Sequence, residues 1–218
     1  MSIRSDWTIK EIKKIYHTPL FELIQNSNRI HQDNHIPGEV QICTLLSIKT
    51  GGCSEDCSYC SQSARYKTGL NAESLLTYEQ VIKSAKTAKD LGSTRFCMGA
   101  AWKEVKNNKD FDNVIKMIKG VNELGLEVCS TLGMATEEQI TRMKNAGLHA
   151  YNHNIDTSKE YYSNIISTHT HEDRMKTLKN IRNAGVTICS GGIIGMGETD
   201  QDRIEMLYSL ATLKKHPE

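Results

Sequence analysis

The chain has 218 residues, 38% of them hydrophobic and 24% charged, enough apolar material for a core in one large domain or two small ones. Lys and Arg total 27 against 26 Asp and Glu, so the formal net charge of +1 excludes a surface built to seek nucleic acid or another polyanion. No apolar run approaches the ~20 residues of a membrane span. The start, MSIRSDWTIKEIKK, lacks the apolar stretch of a secretion signal, which predicts a cytoplasmic protein. One count is unusual for such a chain: seven cysteines, at 43, 53, 57, 60, 97, 129 and 189.

In chain order, residues 1–40 carry two helical patterns. Thr8–Glu11 has the form of a capping box for the first, and Pro19 begins the second. They are expected to form a helical extension capping one end of a domain over 41–218. The apolar run VQICTLLSI predicts a strand with Cys43 in its core, and it leads into the loop KTGGCSEDCSYCSQSARY. A helix follows from the Thr77–Gln80 capping box, with Val81, Ile82, Ala85 and Ala88 on one face. Val114, Ile115, Ile118 and Val121 mark the next helix. Thr136–Gln139 caps another, and Met175, Leu178 and Ile181 mark a weaker one. Each of the four helical patterns ends at a glycine (92, 125, 147, 185) followed by a short strand: RFCMG, LEVCST, LHAYN or VTIC. Gly-rich GGIIGMGE then enters a final helix around 201–213 with Ile204, Leu207 and Leu210.

Strands alternating with helices predict a parallel sheet of βα units: an α/β, TIM-type (β/α) barrel, with a doubly wound open sheet as the alternative. Only five strands are countable, whereas a complete barrel has eight in about 250 residues, so the barrel is expected to be incomplete at its C-terminus. Functional groups of such folds collect at the carboxyl ends of strands. There the sequence places the cysteine loop, Cys97, Cys129, the run Asn152-His153-Asn154 and Cys189.

An odd cysteine count without an export signal argues against a disulfide framework. Structural zinc wants four ligands, commonly two C-x2-C pairs, and no second pair exists here. Cys53, Cys57 and Cys60, spaced C-x3-C-x2-C, instead suit a 4Fe–4S cluster with one iron open to a small molecule. Cys97, Cys129 and Cys189 occupy equivalent strand positions. They read either as buried thiols or as ligands of a second, inner iron–sulfur cluster. GGIIGMGE lacks the G-K-[ST] ending of a phosphate loop, and His153 has no evident acid–base partner.

The triad spacing, with Tyr59 before its third cysteine, resembles the signature of radical S-adenosylmethionine (SAM) enzymes. The blocks TLLSIKTGGCSEDCSYCSQSARYKTGL, GSTRFCMGAAW, YNHNIDTS and CSGGIIGMGET are similar to signature blocks of the biotin synthase family, over essentially the whole chain. The resemblance implies that Cys53, Cys57 and Cys60 ligate a 4Fe–4S cluster, and that Cys97, Cys129 and Cys189 are three of four ligands to a 2Fe–2S cluster. It further implies that Asn154 and Asp156 hydrogen-bond the ribose of SAM and that Tyr59 and the backbone of Ile193 form its adenine site. Asn152 and Asn154 would face the ureido group of the substrate, and Arg95 would help neutralise the inner cluster. The implied reaction converts dethiobiotin to biotin by radical sulfur insertion, with the 2Fe–2S cluster as sulfur donor and a flavodoxin- or ferredoxin-type reductase supplying electrons. A homodimer is implied for the full-length protein. The fourth inner ligand and further substrate contacts would lie beyond residue 218, so this chain is expected to be a fragment that can be inactive alone. The alternatives are another radical SAM enzyme with an auxiliary cluster and a non-catalytic iron–sulfur sensor or carrier.

Overall fold

Helix starts are the most local feature of the fold, because a Thr hydroxyl can accept the free N–H groups of a first turn. In the computed structural model, which describes residues 4–214, the expected capping boxes Thr8–Glu11, Thr77–Gln80 and Thr136–Gln139 all form. Two more, Thr170–Asp173 and Thr199–Asp202, use the shorter aspartate in the reciprocal position. The elements run α1 (Ile9–Tyr16), α2 (Leu20–Asn34), β1 (Cys43–Lys49), α3 (Tyr78–Asp90), β2 (Arg95–Ala100), α4 (Lys109–Glu123) and β3 (Glu127–Thr131). They continue as α5 (Glu137–Asn145), β4 (Leu148–Asn152), α6 (His171–Asn183), β5 (Thr187–Cys189) and α7 (Asp200–Ala211). The glycines at 92, 125, 147 and 185 all have left-handed φ, between 68° and 104°, and turn the chain from helix into strand.

The sheet has five parallel strands in the order β1-β2-β3-β4-β5. A doubly wound sheet reverses its order at a switch point, whereas here every connection steps one strand in the same direction. Right-handed crossovers then put all the linking helices on one face, leaving a concave face opposite, as in part of a (β/α) barrel. Between sheet and helices lies the core: Phe96 and Met98 of β2 meet Phe111, Val114, Ile118 and Val121 of α4, all 0% exposed. Ile82, Ile115 and Met175 lie at the margin of that core, and Leu207 faces out because α7 packs through Ile204 and Met206.

Two expectations are corrected. Cys43 is exposed, not core: it opens β1 on the same face as Leu45, which is itself 70% exposed. Cys97 and Cys129 sit within their strands rather than at the tips, since β2 and β3 continue to Ala100 and Thr131. The N-terminal extension meets the βα array through α1, which packs on α7. The Tyr16 hydroxyl donates to Asp200 Oδ1 at 2.9 Å and accepts from Arg203 at 3.3 Å. No residue of α2 is buried.

Past β5, the glycine-rich loop is closed by one carboxylate. Glu198 accepts from the Gly195 and Met196 N–H groups at 2.8 and 2.7 Å and from Arg203 Nε at 2.7 Å. These hydrogen bonds, the one from Gly195 foremost, hold Glu198 down to a pKa of about 2. A depressed carboxylate adds stability above the ordinary unfolded-state value near 4.3 and loses it as pH falls toward 2. Glu198→Gln is therefore expected to lower the urea midpoint at pH 7, with the gap to wild type closing as the pH is taken below about 4.3. A gap that is constant with pH would refute this role.

Gly133, just past β3, has φ +82°, and a Cβ there would lie 2.5 Å from the carbonyl oxygens of Trp102 and Lys103. Gly92 has φ +90° but nothing within 4 Å of its would-be Cβ. Gly92→Ala should cost about 1 kcal/mol, the left-handed penalty alone. Gly133→Ala should cost at least about twice that, because backbone must move. Urea titration of the two variants checks the order.

Candidate functional site

The loop between β1 and α3 carries the cysteine triad, and backbone hydrogen bonds shape it. Cys53 and Gln62 are joined through Cys53 N to Gln62 O (3.0 Å), Ala64 N reaches Cys53 O (2.8 Å), and a tight turn runs from Cys60 N to Cys57 O (3.0 Å). These bonds bring Cys53, Cys57 and Cys60 to the wall of one cavity of about 340 Å³, shared with Tyr59, Asn152 and Asp156. Asn154 and His153 line the same cavity. Burial pushes the Cys57 thiol up to about 12, so ligation there would have to displace a proton. Among the described residues, no three Cys, His, Asp or Glu side chains converge on the position of a single metal ion.

The loop is fastened to a segment more than a hundred residues away. Ser58 N donates to Ile165 O at 3.0 Å. The Asp56 carboxylate accepts from Ser167 N (2.9 Å), Thr168 N (3.1 Å), the Thr168 hydroxyl (2.8 Å) and the Ser167 hydroxyl. Burial opposes its charge, yet these donors hold Asp56 well below the usual carboxylate range. Next to it, Glu55 is buried, forms an ion pair with Lys103 Nζ at 3.0 Å, accepts from His169 Nδ1, and shares the single proton of the Thr168 hydroxyl with Asp56.

On the opposite wall, Asp156 is 2% exposed and is the one non-glycine residue among those described with positive φ, at 66°. Left-handed backbone costs an ordinary residue roughly 1–2 kcal/mol, so the surroundings must enforce it. They do so through Ile193, whose N–H donates to Asp156 O at 2.8 Å, and through the Asp156 and Gly192 strand-like bridge. Burial raises the Asp156 carboxyl, while Arg174, 3.0 Å from Oδ2, and a hydrogen bond from Tyr59 oppose that rise. The expected adenine and ribose residues, Tyr59, Asp156 and Ile193, are therefore joined in one bonded group. Asn154 stands beside them, its Oδ1 4.0 Å from where a Gly191 Cβ would lie. Arg174, half-buried on α6, was not foreseen, because its partners Asp156 and Tyr162 sit in the largely irregular segment between β4 and α6, which no helical or strand period describes.

The inner cysteines also face one another. Parallel pairing sets Cys97 directly beside Cys129. The Cys129 thiol is pushed up by its hydrogen bond to Cys97, then by burial and by the proximity of Cys97 and Cys189. Asn152 Nδ2 donates to Cys189 Sγ at 3.2 Å. Gly99 and Thr131, two residues further along the same faces, line the cavity, so Cys97 and Cys129 lie one layer beneath it, while Cys189 is in register with the cavity-lining Asn152. Arg95 is held by Glu127 (Nε 3.0 Å, a second nitrogen 2.9 Å), and its charge still favours the Cys129 thiolate. His153 is 2% exposed, and burial lowers its pKa well below 6.5, keeping the ring neutral.

Three comparisons bear on this arrangement. The family model of the radical SAM superfamily matches residues 47–210. The biotin synthase of Cytophaga hutchinsonii is 57% identical over 99% of this chain and 64% of its own length. That of Nostoc punctiforme is 55% identical over 100% of the chain and 65% of its own length. The mitochondrial biotin synthase of Arabidopsis thaliana is 54% identical over 99% and 57%. The chain thus spans about 64% of the length of the first curated relative it matches. Among solved structures, methylornithine synthase (PylB) superposes with a TM-score of 0.79 at 18% identity, over 94% of this chain and 61% of that one. The [FeFe]-hydrogenase maturase HydG gives 0.77 at 18% identity, over 94% and 47%. At that identity these two speak for the fold alone. With a cysteine triad opening onto a cavity at the rim of a sequential parallel sheet, and the family match covering that whole array, this chain belongs to the radical SAM superfamily.

Proposed function

We propose that this chain is the SAM-binding part of a biotin synthase, which inserts sulfur into dethiobiotin to give biotin. The observation that carries the reading is the sharing of one cavity by the triad cysteines and by Asn154, Asp156 and Arg174. Residues 41–218 are read as the incomplete barrel and 1–40 as its extension.

The donor sets fit the groups assigned to them. Cys53, Cys57 and Cys60 would hold a 4Fe–4S cluster: soft thiolates suit iron–sulfur centres, and three of them leave one iron open. When bound, that cluster supplies the electron that cleaves the sulfonium of SAM. Asp156 offers two acceptor oxygens to a ribose diol, with Asn154 beside it. Tyr59 and the Ile193 backbone would border the adenine, and Arg174 fixes the Asp156 carboxylate in place. Cys97, Cys129 and Cys189 would hold the 2Fe–2S cluster, whose sulfide is consumed as a substrate. Asn152 and Asn154 would receive the ureido group between the two levels. No acid–base pair is required, because the C–H bonds to be broken are unactivated. The chain's task is to hold the reactants in line and exclude water. A flavodoxin- or ferredoxin-type electron donor, a cytoplasmic setting and a homodimeric whole protein complete the reading.

Anaerobic reconstitution tests it. The chain should take up about four irons and four sulfides at the triad and about two of each at the inner cysteines. Cys53→Ala/Cys57→Ala/Cys60→Ala should remove the larger share together with calorimetric binding of SAM. Stoichiometric zinc without sulfide would overturn the proposal. Iron and sulfide without SAM binding would favour an iron–sulfur carrier instead.

A further inference from the structure

A buried polar chain joins the cysteine loop to the opposite wall of the cavity through one histidine. Arg174 donates to the Tyr162 hydroxyl from Nε at 3.0 Å and stands 3.0 Å from Asp156 Oδ2 through a second nitrogen. The Tyr162 hydroxyl lies 2.9 Å from His169 Nε2. The other ring nitrogen, Nδ1, meets the carboxylate of Glu55, which sits between Cys53 and Cys57. Tyr162, His169 and Glu55 are all buried.

Donors and acceptors agree along the whole line. A carboxylate can only accept, so the network assigns the ring proton to Nδ1 of His169. Nε2 of the neutral ring is then an acceptor and takes the Tyr162 proton. The Tyr162 oxygen remains free to accept from Arg174. Burial and the Arg174 charge lower the His169 pKa, in keeping with a neutral ring. The three hydrogen bonds of this line each engage a buried group, so a displacement would leave buried polar atoms without partners, and the line ends in the Arg174–Asp156 ion pair. Its ends are the two halves of the cavity, the cysteine loop and the Asp156–Arg174 pair.

We propose that His169 is a positioning residue for SAM. Through Glu55 and through Tyr162–Arg174, it holds the cysteine loop at a fixed distance and angle from Asp156. The proposal rests on the functional reading above and adds a residue that lines the same cavity with both ring nitrogens already engaged, by Glu55 and Tyr162. Partners at one remove from a metal site are typically worth ~10–100-fold in affinity or activity.

The test uses the chain reconstituted with iron and sulfide. His169→Ala should keep its iron content, because Asp56 still fastens the loop to Ser167 and Thr168. Its SAM dissociation constant, by equilibrium dialysis, should rise at least about tenfold. The change that SAM induces in the electron paramagnetic resonance spectrum of the reduced cluster should need correspondingly more SAM. Tyr162→Phe, which breaks the same line without touching Glu55, should behave alike. His169→Gln, whose amide carries one donor and one acceptor, should recover most of the affinity. Wild-type binding by both disrupting variants would overturn the positioning role while leaving the functional reading intact. So would failure of the Gln variant to improve on Ala. A wild-type chain that takes up iron and sulfide but binds no SAM would overturn both.

Discussion

All five strands run parallel and pair in sequence order, and a right-handed return through a helix is what parallel neighbours require. That constraint sends every strand's carboxyl end to the same rim. It brings the cysteine loop, the YNHNID segment and the glycine-rich loop together although about 140 residues separate the first from the last. It also fixes depth. Parallel register sets Cys97 beside Cys129, and the period of two puts Gly99 and Thr131 above them on the same faces. The rim and the layer beneath it thus become two levels of one site, a division that follows from strand geometry alone.

The rim loops need more than the sheet to hold them. Buried charge costs several kcal/mol unless it is partnered, and the cavity walls contain two such carboxylates, Glu55 and Asp156, paired with the partly exposed Lys103 and Arg174. The Glu55–Lys103 pair joins neighbouring βα units as a cross-brace, and the Asp156–Arg174 pair ties the loop after β4 to its own helix, α6. Asp156 shows what this achieves. Its left-handed backbone is unfavourable by itself, and it persists because Ile193 donates to its carbonyl oxygen while Arg174 pairs with its carboxylate. The clamp by Glu198 does the same for the glycine-rich loop that supplies Ile193.

Much of this was legible from local pattern. Capping boxes at Thr8, Thr77 and Thr136, the glycines that end four helices, and the apolar faces of α3 and α4 each depend on residues within one or two turns. The two capping boxes missed, at Thr170 and Thr199, carry Asp where Glu or Gln is the usual signal. Cys43 was misread for a related reason. An apolar run cannot say which face of a strand is covered, and Cys43 lies on the exposed one. Arg174 and His169 left no local trace because their nearer partners sit in the largely irregular segment between β4 and α6, and Glu55 left none because His169 and Thr168 lie more than a hundred residues from it.

The sequence by itself determined the βα alternation, the C-x3-C-x2-C spacing that gathers three cysteines after β1, and the equivalence of Cys97 with Cys129, whereas Cys189 lies two residues further along, in register with Asn152. Those are matters of spacing, and spacing is read directly. Only the tertiary structure decided that the sheet is sequential rather than doubly wound, that Cys97 and Cys129 lie a layer below the rim, and that Glu55 pairs with Lys103 of the next βα unit. Strand order, depth and charge pairing are set by which units become neighbours. That choice minimises the free energy of the whole chain, and no window of residues contains it.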